Sequence, residues 1–299
     1  MDDFRCLQFS INLRLIHPTT SFLSQEEQRP KDHWTAKAYT SSASFVPKLT
    51  SAVIAWLDPQ PHENILDIGC GDGVLTARIK EQCASVTGVD ASSNLIEAAR
   101  NSYGTTPNLA WEVQDCRYLE NSPTARTEHY DKVFSNAALH WILREPSTRK
   151  SVFHGAYNVL KPGGTFVFEM GGAGNVPEVH AALLAAVVHQ GLSIQQARSA
   201  CPWFFPSEEL AKQMLEEAGF RLERSQLEYR PTELTTEEGG GIEGWVRLMG
   251  AQFFEGLSDE KRQAAVNEVC EVLETVITHE QDESKWLGYV RLRVLARKP

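Results

Sequence analysis

Short apolar segments alternate with amphipathic segments between residues 45 and 170. Each apolar segment is bounded by turn residues and predicts a buried strand. The predicted strands are Asn64–Ile68, Ser85–Val89, Leu109–Val113, Tyr130–Phe134 and Thr165–Met170. Helical spacing predicts helices within Phe45–Leu57 and over Val74–Gln82, Ser92–Tyr103 and Pro146–Leu160. Strands that alternate with helices favour an α/β fold with a parallel sheet covered on both faces.

The second half of the chain is more helical. Apolar periodicity predicts helices over Glu178–His189 and Ser207–Ala218, and a long helix that begins after Ser258. Two further segments, Arg221–Tyr229 and Leu287–Ala296, have the character of strands. Residues 1–32 have no sustained period, and we interpret them as an N-terminal extension. Mobility of this extension and docking of part of it on the body both remain open.

Composition narrows the class of protein. The 299 residues are 42% hydrophobic and 23% charged, which is typical of a globular protein. The longest apolar run, Ala181–Val188, is too short to span a bilayer, and the acidic start predicts no targeting segment. A formal net charge of −10 argues against a nucleic-acid partner. Six scattered cysteines without a CxxC pair predict free thiols, no metal site and a cytoplasmic location.

The most informative segment is a glycine-rich turn after the first predicted strand. Gly69, Gly71 and Gly73 allow positive φ angles and close approach of a ligand to the main chain. Asp90 ends the next strand, where a carboxylate can accept hydrogen bonds from both hydroxyls of a ribose. A dinucleotide-binding fingerprint would place its third glycine where this chain has Val74, so that class of site is excluded.

The segment Leu66–Gly73 (LDIGCGDG) resembles motif I of the class I S-adenosylmethionine-dependent methyltransferases. Later motifs of that family are similar, in order, to Val89–Ser92, Gln114–Cys116, Asp131–Asn136 and Leu160–Gly164. This resemblance covers about residues 33 to 175. It implies a Rossmann-like seven-stranded sheet, mostly parallel, with Arg221–Tyr229 and Leu287–Ala296 as an antiparallel pair and a helical cap.

Further segments are similar to one group within that family. Asn136–Trp141 (NAALHW), the pair Trp34 and Tyr39, and Gly241–Val246 resemble the trans-aconitate methyltransferases and related small-molecule enzymes. The resemblance therefore implies a single methyltransferase domain over residues 33–299. Its cofactor-binding core would span about residues 60–171, with cap insertions at about 172–206 and 232–284.

The resemblance also implies the site residues for S-adenosylmethionine. Gly69 and Gly71 would let the backbone touch the methionine part, Asp67 would support the loop and the cofactor's ammonium group, and Asp90 would hold the ribose. Asp115 and the backbone of Cys116 would face the adenine, and the carbonyl of Asn136 would accept from the ammonium group. The predicted cofactor-binding residues are Trp34, Tyr39, Asp67, Gly69, Gly71, Asp90, Ala91, Asp115, Cys116 and Asn136.

His140 and Trp141 follow the fourth predicted strand, where α/β proteins place active residues. His140 is a candidate general base or donor to the acceptor, with a packing role as the alternative. Trp141 is assigned to the acceptor pocket or to the core. The candidates for binding an acidic acceptor are Arg144, Arg247 and Arg291.

We therefore expect a methyltransferase that acts on a small molecule, at a carboxylate or at an oxygen or nitrogen of a specialised metabolite. A non-catalytic regulator that binds the same cofactor is the alternative. Neither a nucleic acid nor a membrane is expected as a partner, and the oligomeric state stays open.

Overall fold

The computed structural model describes residue 34 and residues 49–125 and 128–299 of the chain. The prediction for residues 1–32 and the site residue Tyr39 lie outside these residues. The strands are β1 (Asn64–Ile68), β2 (Ser85–Asp90), β3 (Leu109–Val113), β4 (Tyr130–Asn136), β5 (Leu160–Gly171), β6 (Arg221–Tyr229), β7 (Thr232–Glu233), β8 (Trp286–Leu287) and β9 (Val290–Arg297). The helices are α1 (Ser51–Leu57), α2 (Val74–Lys80), α3 (Ser93–Tyr103), α4 (Leu139–Ile142), α5 (Arg149–Val159), α6 (Pro177–His189), α7 (Ile194–Ala200), α8 (Glu208–Glu217), α9 (Gly241–Met249) and α10 (Asp259–Ile277).

Seven strands form one sheet in the order β3-β2-β1-β4-β5-β9-β6. The first five are parallel, whereas β9 runs antiparallel to both β5 and β6. The strand order reverses between β1 and β4, and ligands of open α/β sheets bind outside the carboxyl ends of the strands at such a point. The predicted mostly parallel seven-stranded sheet with its antiparallel pair is confirmed.

Apolar side chains cover both faces of this sheet. On one face, α1, α2 and α3 contribute to a cluster that includes Val53, Leu57, Ile65, Ile79, Ile96 and Val167. On the other face, α5 and α8 contribute to a cluster that includes Leu66, Val133, Phe153, Phe168 and Leu215. A third cluster joins α6, α9 and α10, and it includes Leu183, Trp203, Trp245, Val246, Phe253 and Val269. None of the helices in the described part of the chain has the length and apolar character needed to cross a bilayer.

The last predicted strand is wrong in one respect, because Leu287–Ala296 contributes to two sheets. Leu287 pairs with Thr232 in the small β7–β8 sheet, and the main sheet gains its strand only from Val290. The backbone N–H of Gly288 between them donates to the Glu178 carboxylate of α6 instead of joining a ladder. Helices α4 and α7 are also absent from the prediction, since four and seven residues are too few for a clear helical period.

The glycine turn after β1 is fixed by a tryptophan beneath it. Gly73 has φ +82°, and a Cβ there would lie 2.4 Å from the Cη2 atom of Trp111 on β3. Gly88 on β2 meets the same ring, since a Cβ at that position would lie 2.7 Å from Cζ3. The indole therefore occupies the space that side chains at both glycines would need.

Gly73→Ala is expected to destabilise the fold more than Gly163→Ala. Both glycines have similar positive φ angles, +82° and +79°, but a Cβ at Gly163 meets no atom within 4 Å. Each change carries the left-handed strain of about 1–2 kcal/mol. Only Gly73→Ala adds overpacking against Trp111, which costs about 1–3 kcal/mol more. Urea unfolding measures both variants, and equal losses would contradict the role of Trp111.

Candidate active site

The glycine loop and Asp90 are joined at the carboxyl edge of the sheet. The backbone N–H groups of Gly69 and Cys70 both donate to the carbonyl of Val89, at 2.8 and 3.1 Å. The Asp90 carboxylate accepts from the N–H of Gly71 at 3.0 Å and from the N–H of Ser92 at 2.9 Å. Asp90 thus holds the loop after β1 against the start of α3.

Gly71 borders open space. Its φ is +57°, and a Cβ built there would meet nothing within 4 Å. At Gly69, by contrast, a Cβ would lie 2.2 Å from the Cβ of Ala138. Gly69 is therefore required by packing within the protein, whereas Gly71 leaves its main chain accessible to a ligand.

Asp67 lies beneath the loop and is 2% exposed. Its Oδ2 atom accepts from the hydroxyl of Thr76 at 2.6 Å. Burial raises the pKa of Asp67 to about 7; the bond from Thr76 opposes this rise and the charge of Asp90 adds to it. A bound cation nearby would favour the ionised carboxylate, because an opposite charge stabilises the charged form.

Asp115 has a partner that the sequence analysis missed. Its carboxylate accepts from the backbone N–H of Arg117 at 3.0 Å and from the guanidinium Nε at 2.9 Å and Nη2 at 2.5 Å. An adenine amino group would have to share this carboxylate with Arg117. Burial raises the pKa of the Cys116 thiol well above its usual value, so the side chain stays protonated. Only the backbone of Cys116 is thus suited to a ligand contact.

Trp34 is placed beside the same edge, where the side-chain amide of Asn94 donates to its carbonyl at 3.1 Å. Its indole meets that of Trp141 edge to face, with ring centroids 5.2 Å apart. Ala91 is exposed between Asp90 and the start of α3. Residues 34, 91 and 141 therefore line the region around the loop.

His140 is buried in the short helix α4. Its Nδ1 atom accepts from the backbone N–H of Gly171 at 3.4 Å. Burial, and then the positive charge of Arg291, hold the pKa of His140 well below its usual value. The ring is therefore neutral at physiological pH, and acceptance at Nδ1 leaves the proton on Nε2.

A cavity opens beside Asn136, where β4 ends. Its lining residues are Leu49, Asn136, Glu169, Arg230, Thr232, Tyr289 and Arg291. Within the described part of the chain, the Oδ1 atom of Asn136 and the Nε atoms of Arg230 and Arg291 are buried and have no hydrogen-bond partner. We refer to this feature as the arginine cavity. Buried polar groups are normally paired, so these three atoms indicate a polar ligand.

Of the three predicted arginines, only Arg291 lines the arginine cavity. Arg144 donates to the side chain of Gln252 and to the carbonyl of Ser199, and Arg247 forms an exposed ion pair with Glu243. The sequence analysis missed Glu169, Arg230 and Tyr289. The sequence does contain a feature that could have identified Glu169, because it is the one charged residue in the apolar segment Phe166–Met170.

Comparison with known proteins identifies the family. A family model described as a methyltransferase domain matches residues 65–164. An uncharacterized methyltransferase of Schizosaccharomyces pombe is 38% identical over 273 residues, which cover 90% of this chain and 99% of that protein. This chain therefore belongs to the methyltransferase family.

Other relatives are more distant. A malonyl-[acyl-carrier protein] O-methyltransferase of Priestia megaterium is 32% identical over 56% of this chain and 61% of its own length. The crystal structure of a Bacillus halodurans C-125 protein matches this one with a TM-score of 0.58 at 18% sequence identity. The match covers 84% of this chain and 99% of that one. A phosphoethanolamine N-methyltransferase of Haemonchus contortus, solved with S-adenosylhomocysteine, has a TM-score of 0.52 at 18% identity, covering 88% of this chain and 57% of that one.

The chain is thus a class I S-adenosylmethionine-dependent methyltransferase, and the predictions of an enzyme and of this cofactor are confirmed. The geometry fits the cofactor, because Gly71 exposes its main chain and Asp90 carries a carboxylate beside it. Within the described residues, no group of three or more His, Cys, Asp or Glu side chains is arranged to hold a metal ion.

Asp90→Ala is expected to weaken binding of S-adenosylmethionine at least about 100-fold. The variant loses the two hydrogen bonds that the Asp90 carboxylate would accept from the ribose hydroxyls, and each is worth about 1.5–3 kcal/mol. Asp131→Ala is the matched control. Asp131 also lies on a strand of the sheet, but it binds the N–H of Asn64 and the Lys161 ammonium at the opposite edge. Calorimetry measures both affinities, and equal effects of the two variants would contradict the assignment of Asp90.

Proposed function

We propose that the enzyme transfers the methyl group to a carboxylate oxygen of a small acidic molecule, as the resemblance to trans-aconitate methyltransferases implies. The observation that carries this proposal is the arginine cavity beside Asn136. The side chains of Arg291 and Arg230 are 7% and 20% exposed, and the buried Nε atom of each has no hydrogen-bond partner among the residues that the structure describes. A carboxylate matches the planar fork of a guanidinium.

The charges around the arginine cavity also support an acidic acceptor. Glu169 pairs with Arg230 and Arg293, with the closest N–O distances at 2.6 Å in both cases. Arg291 approaches Glu169 only to 3.5 Å. Because an uncompensated buried charge is costly, an anionic ligand that pairs with Arg291 would be strongly favoured.

The cofactor residues keep the roles that the resemblance implies. We propose that Asp90 and Ala91 lie against the ribose, Asp115 and Cys116 against the adenine, and Gly69, Gly71, Asp67 and the carbonyl of Asn136 against the methionine part. Trp34 and Tyr39 would close over it. In this arrangement the sulfonium would lie next to the arginine cavity, because Asn136 lines the cavity and its carbonyl would also contact the cofactor.

The contribution of the protein to this reaction is to orient the acceptor relative to the methyl group. The bound cofactor supplies an electrophilic methyl group on sulfur. A carboxylate acceptor is already nucleophilic, so no residue has to remove a proton. Holding the acceptor in line with the methyl group can lower the barrier by about 7–11 kcal/mol.

A cap of helices supports a small acceptor. We propose that insertions at about 172–206 and 232–284 form this cap within a single domain over residues 33–299, with the cofactor core at about 60–171. The ring centroid of Trp203 lies 5.9 Å from that of Trp141 and 5.9 Å from that of Trp245. Trp203 therefore connects Trp141 at the site to Trp245 in the cap. The name of the Priestia megaterium relative supports O-methylation of an acyl acid, although this chain spans only 61% of that protein.

Arg291→Met is expected to raise the KM for trans-aconitate about 10- to 100-fold, the loss of one hydrogen bond to a charged group. Binding of S-adenosylmethionine should remain unchanged. Arg247→Met is the control, because it removes an exposed arginine that the sequence analysis also selected. Transfer of labelled methyl groups measures the effect; an unchanged KM in Arg291→Met would contradict carboxylate binding in this cavity.

His140 is expected to act as a hydrogen-bond donor and not as a general base. With saturating cofactor, the rate of transfer to trans-aconitate should not depend on the titration of His140 near neutral pH, because burial and the charge of Arg291 hold its pKa well below its usual value and keep the ring neutral. His140→Asn should keep the rate within about tenfold, the value of one hydrogen bond. A rate that rises with pH in the wild type and not in the variant would favour a base, as would activity on phenols or amines that this change abolishes.

A further inference from the structure

Glu169 is a buried carboxylate in the arginine cavity that methyl transfer does not use. It lies on β5 and is 1% exposed. Its Oε1 atom accepts from Arg230 Nη2 at 2.6 Å, and its Oε2 atom accepts from Arg293 Nε and Nη2 at 2.9 and 2.6 Å. Because both oxygens are engaged by arginines, Glu169 is poorly placed to accept a proton from an acceptor or to bind the acceptor itself.

Glu169 is ionised. Burial raises its pKa, but the charges of Arg291 and Arg230, and the hydrogen bonds from Arg230 and Arg293, outweigh burial and hold the pKa below its usual value. Its negative charge therefore belongs to the permanent electrostatics of the cavity.

The charges around the cavity nearly cancel. Arg230 is balanced by Glu169, and Arg293 is also paired with Glu228 at 3.1 Å. Arg291 is left in excess. Among the described residues that face Arg291, His140 and Tyr289 add no charge, since the pKa of His140 is lowered and burial raises the pKa of Tyr289 to about 12. Glu178 does not line the cavity, and its carboxylate accepts from the backbone N–H of Gly288.

We propose that Glu169 is a specificity-determining residue: it reduces the net charge of the arginine cavity to about plus one, so that the cavity binds a carboxylate in preference to a phosphate group. This inference rests on the proposed function, because it concerns the anionic group of the same acceptor. A singly charged carboxylate neutralises one excess guanidinium, whereas a doubly charged phosphate leaves a buried negative charge unpaired.

Two variants of Glu169 and one of Glu228, which also pairs with Arg293, distinguish the effect of the Glu169 charge from that of its shape. Glu169→Gln removes the charge with almost the same shape and raises the net charge of the cavity by one. Glu169→Asp shortens the side chain and keeps the charge. Glu228→Gln is the matched control, because it makes the same substitution in a residue that pairs with Arg293 but whose side chain is 36% exposed and hence screened by water.

The probes are succinate and 2-phosphoglycolate, which share a carboxymethyl group and differ in having a second carboxylate or a phosphate. The phosphate is doubly charged at a pH of about 7.5, because its second pKa is about 6. Calorimetry measures both affinities with the full chain saturated with S-adenosylhomocysteine. We expect the wild type and Glu169→Asp to prefer succinate, and Glu169→Gln to shift the affinity ratio at least about tenfold toward phosphoglycolate.

The remaining outcomes would contradict either the role of Glu169 or the proposed function. A wild-type preference for phosphoglycolate overturns the inference even if Glu169→Gln does not fold. An unchanged ratio in a folded Glu169→Gln, a Glu169→Asp ratio that follows Glu169→Gln, or an equal shift in Glu228→Gln overturns it as well. If the wild type binds neither probe and methylates no carboxylic acid, the proposed function itself fails.

Discussion

The site depends on one carboxylate, that of Asp90, which binds two backbone N–H groups from different loops. Gly71 belongs to the turn after β1 and Ser92 to the start of α3, and Asp90 at the end of β2 holds both. The φ of Gly71 is +57°, which glycine adopts without the strain that other residues would have there. The indole of Trp111 packs against the same turn at Gly73.

The arginine cavity, where we propose that the acceptor binds, is held together by buried ion pairs. There the arginines arrive from β9 and from the segment after β6, and the buried carboxylate of β5 brings them together. Glu169 pairs in register with Asn136 on one side and with Arg293 on the other. Glu169 thus lies between the strand that ends at Asn136 and the strand that carries Arg291 and Arg293. In the function that we propose, the cofactor and acceptor sites would therefore lie on neighbouring strands of one sheet.

The sequence relates the residues around the glycine turn to one another, but it does not bring the residues of the arginine cavity together. Asp67, Gly71 and Asp90 lie within 23 residues of each other, and local spacing around one glycine turn is enough to relate them. The arginine cavity depends on the register between β5 and β9, which places Arg293 opposite Glu169 across 124 residues of chain. No periodicity encodes that register. The same reason explains why Arg291 could not be distinguished from Arg144 or Arg247.

The position of β9 has a consequence for the order in which the molecule is completed. This strand lies between β5 and β6, so neither neighbour has its full set of hydrogen bonds until Val290–Arg297 joins the sheet. Arg230 also donates to the carbonyl of Leu49, 181 residues earlier in the chain. The contact between Gly71 and Asp90 spans 19 residues, whereas that between Glu169 and Arg293 spans 124. Because local contacts form faster than long-range ones, the turn around Asp90 can form before the ion pairs of the arginine cavity.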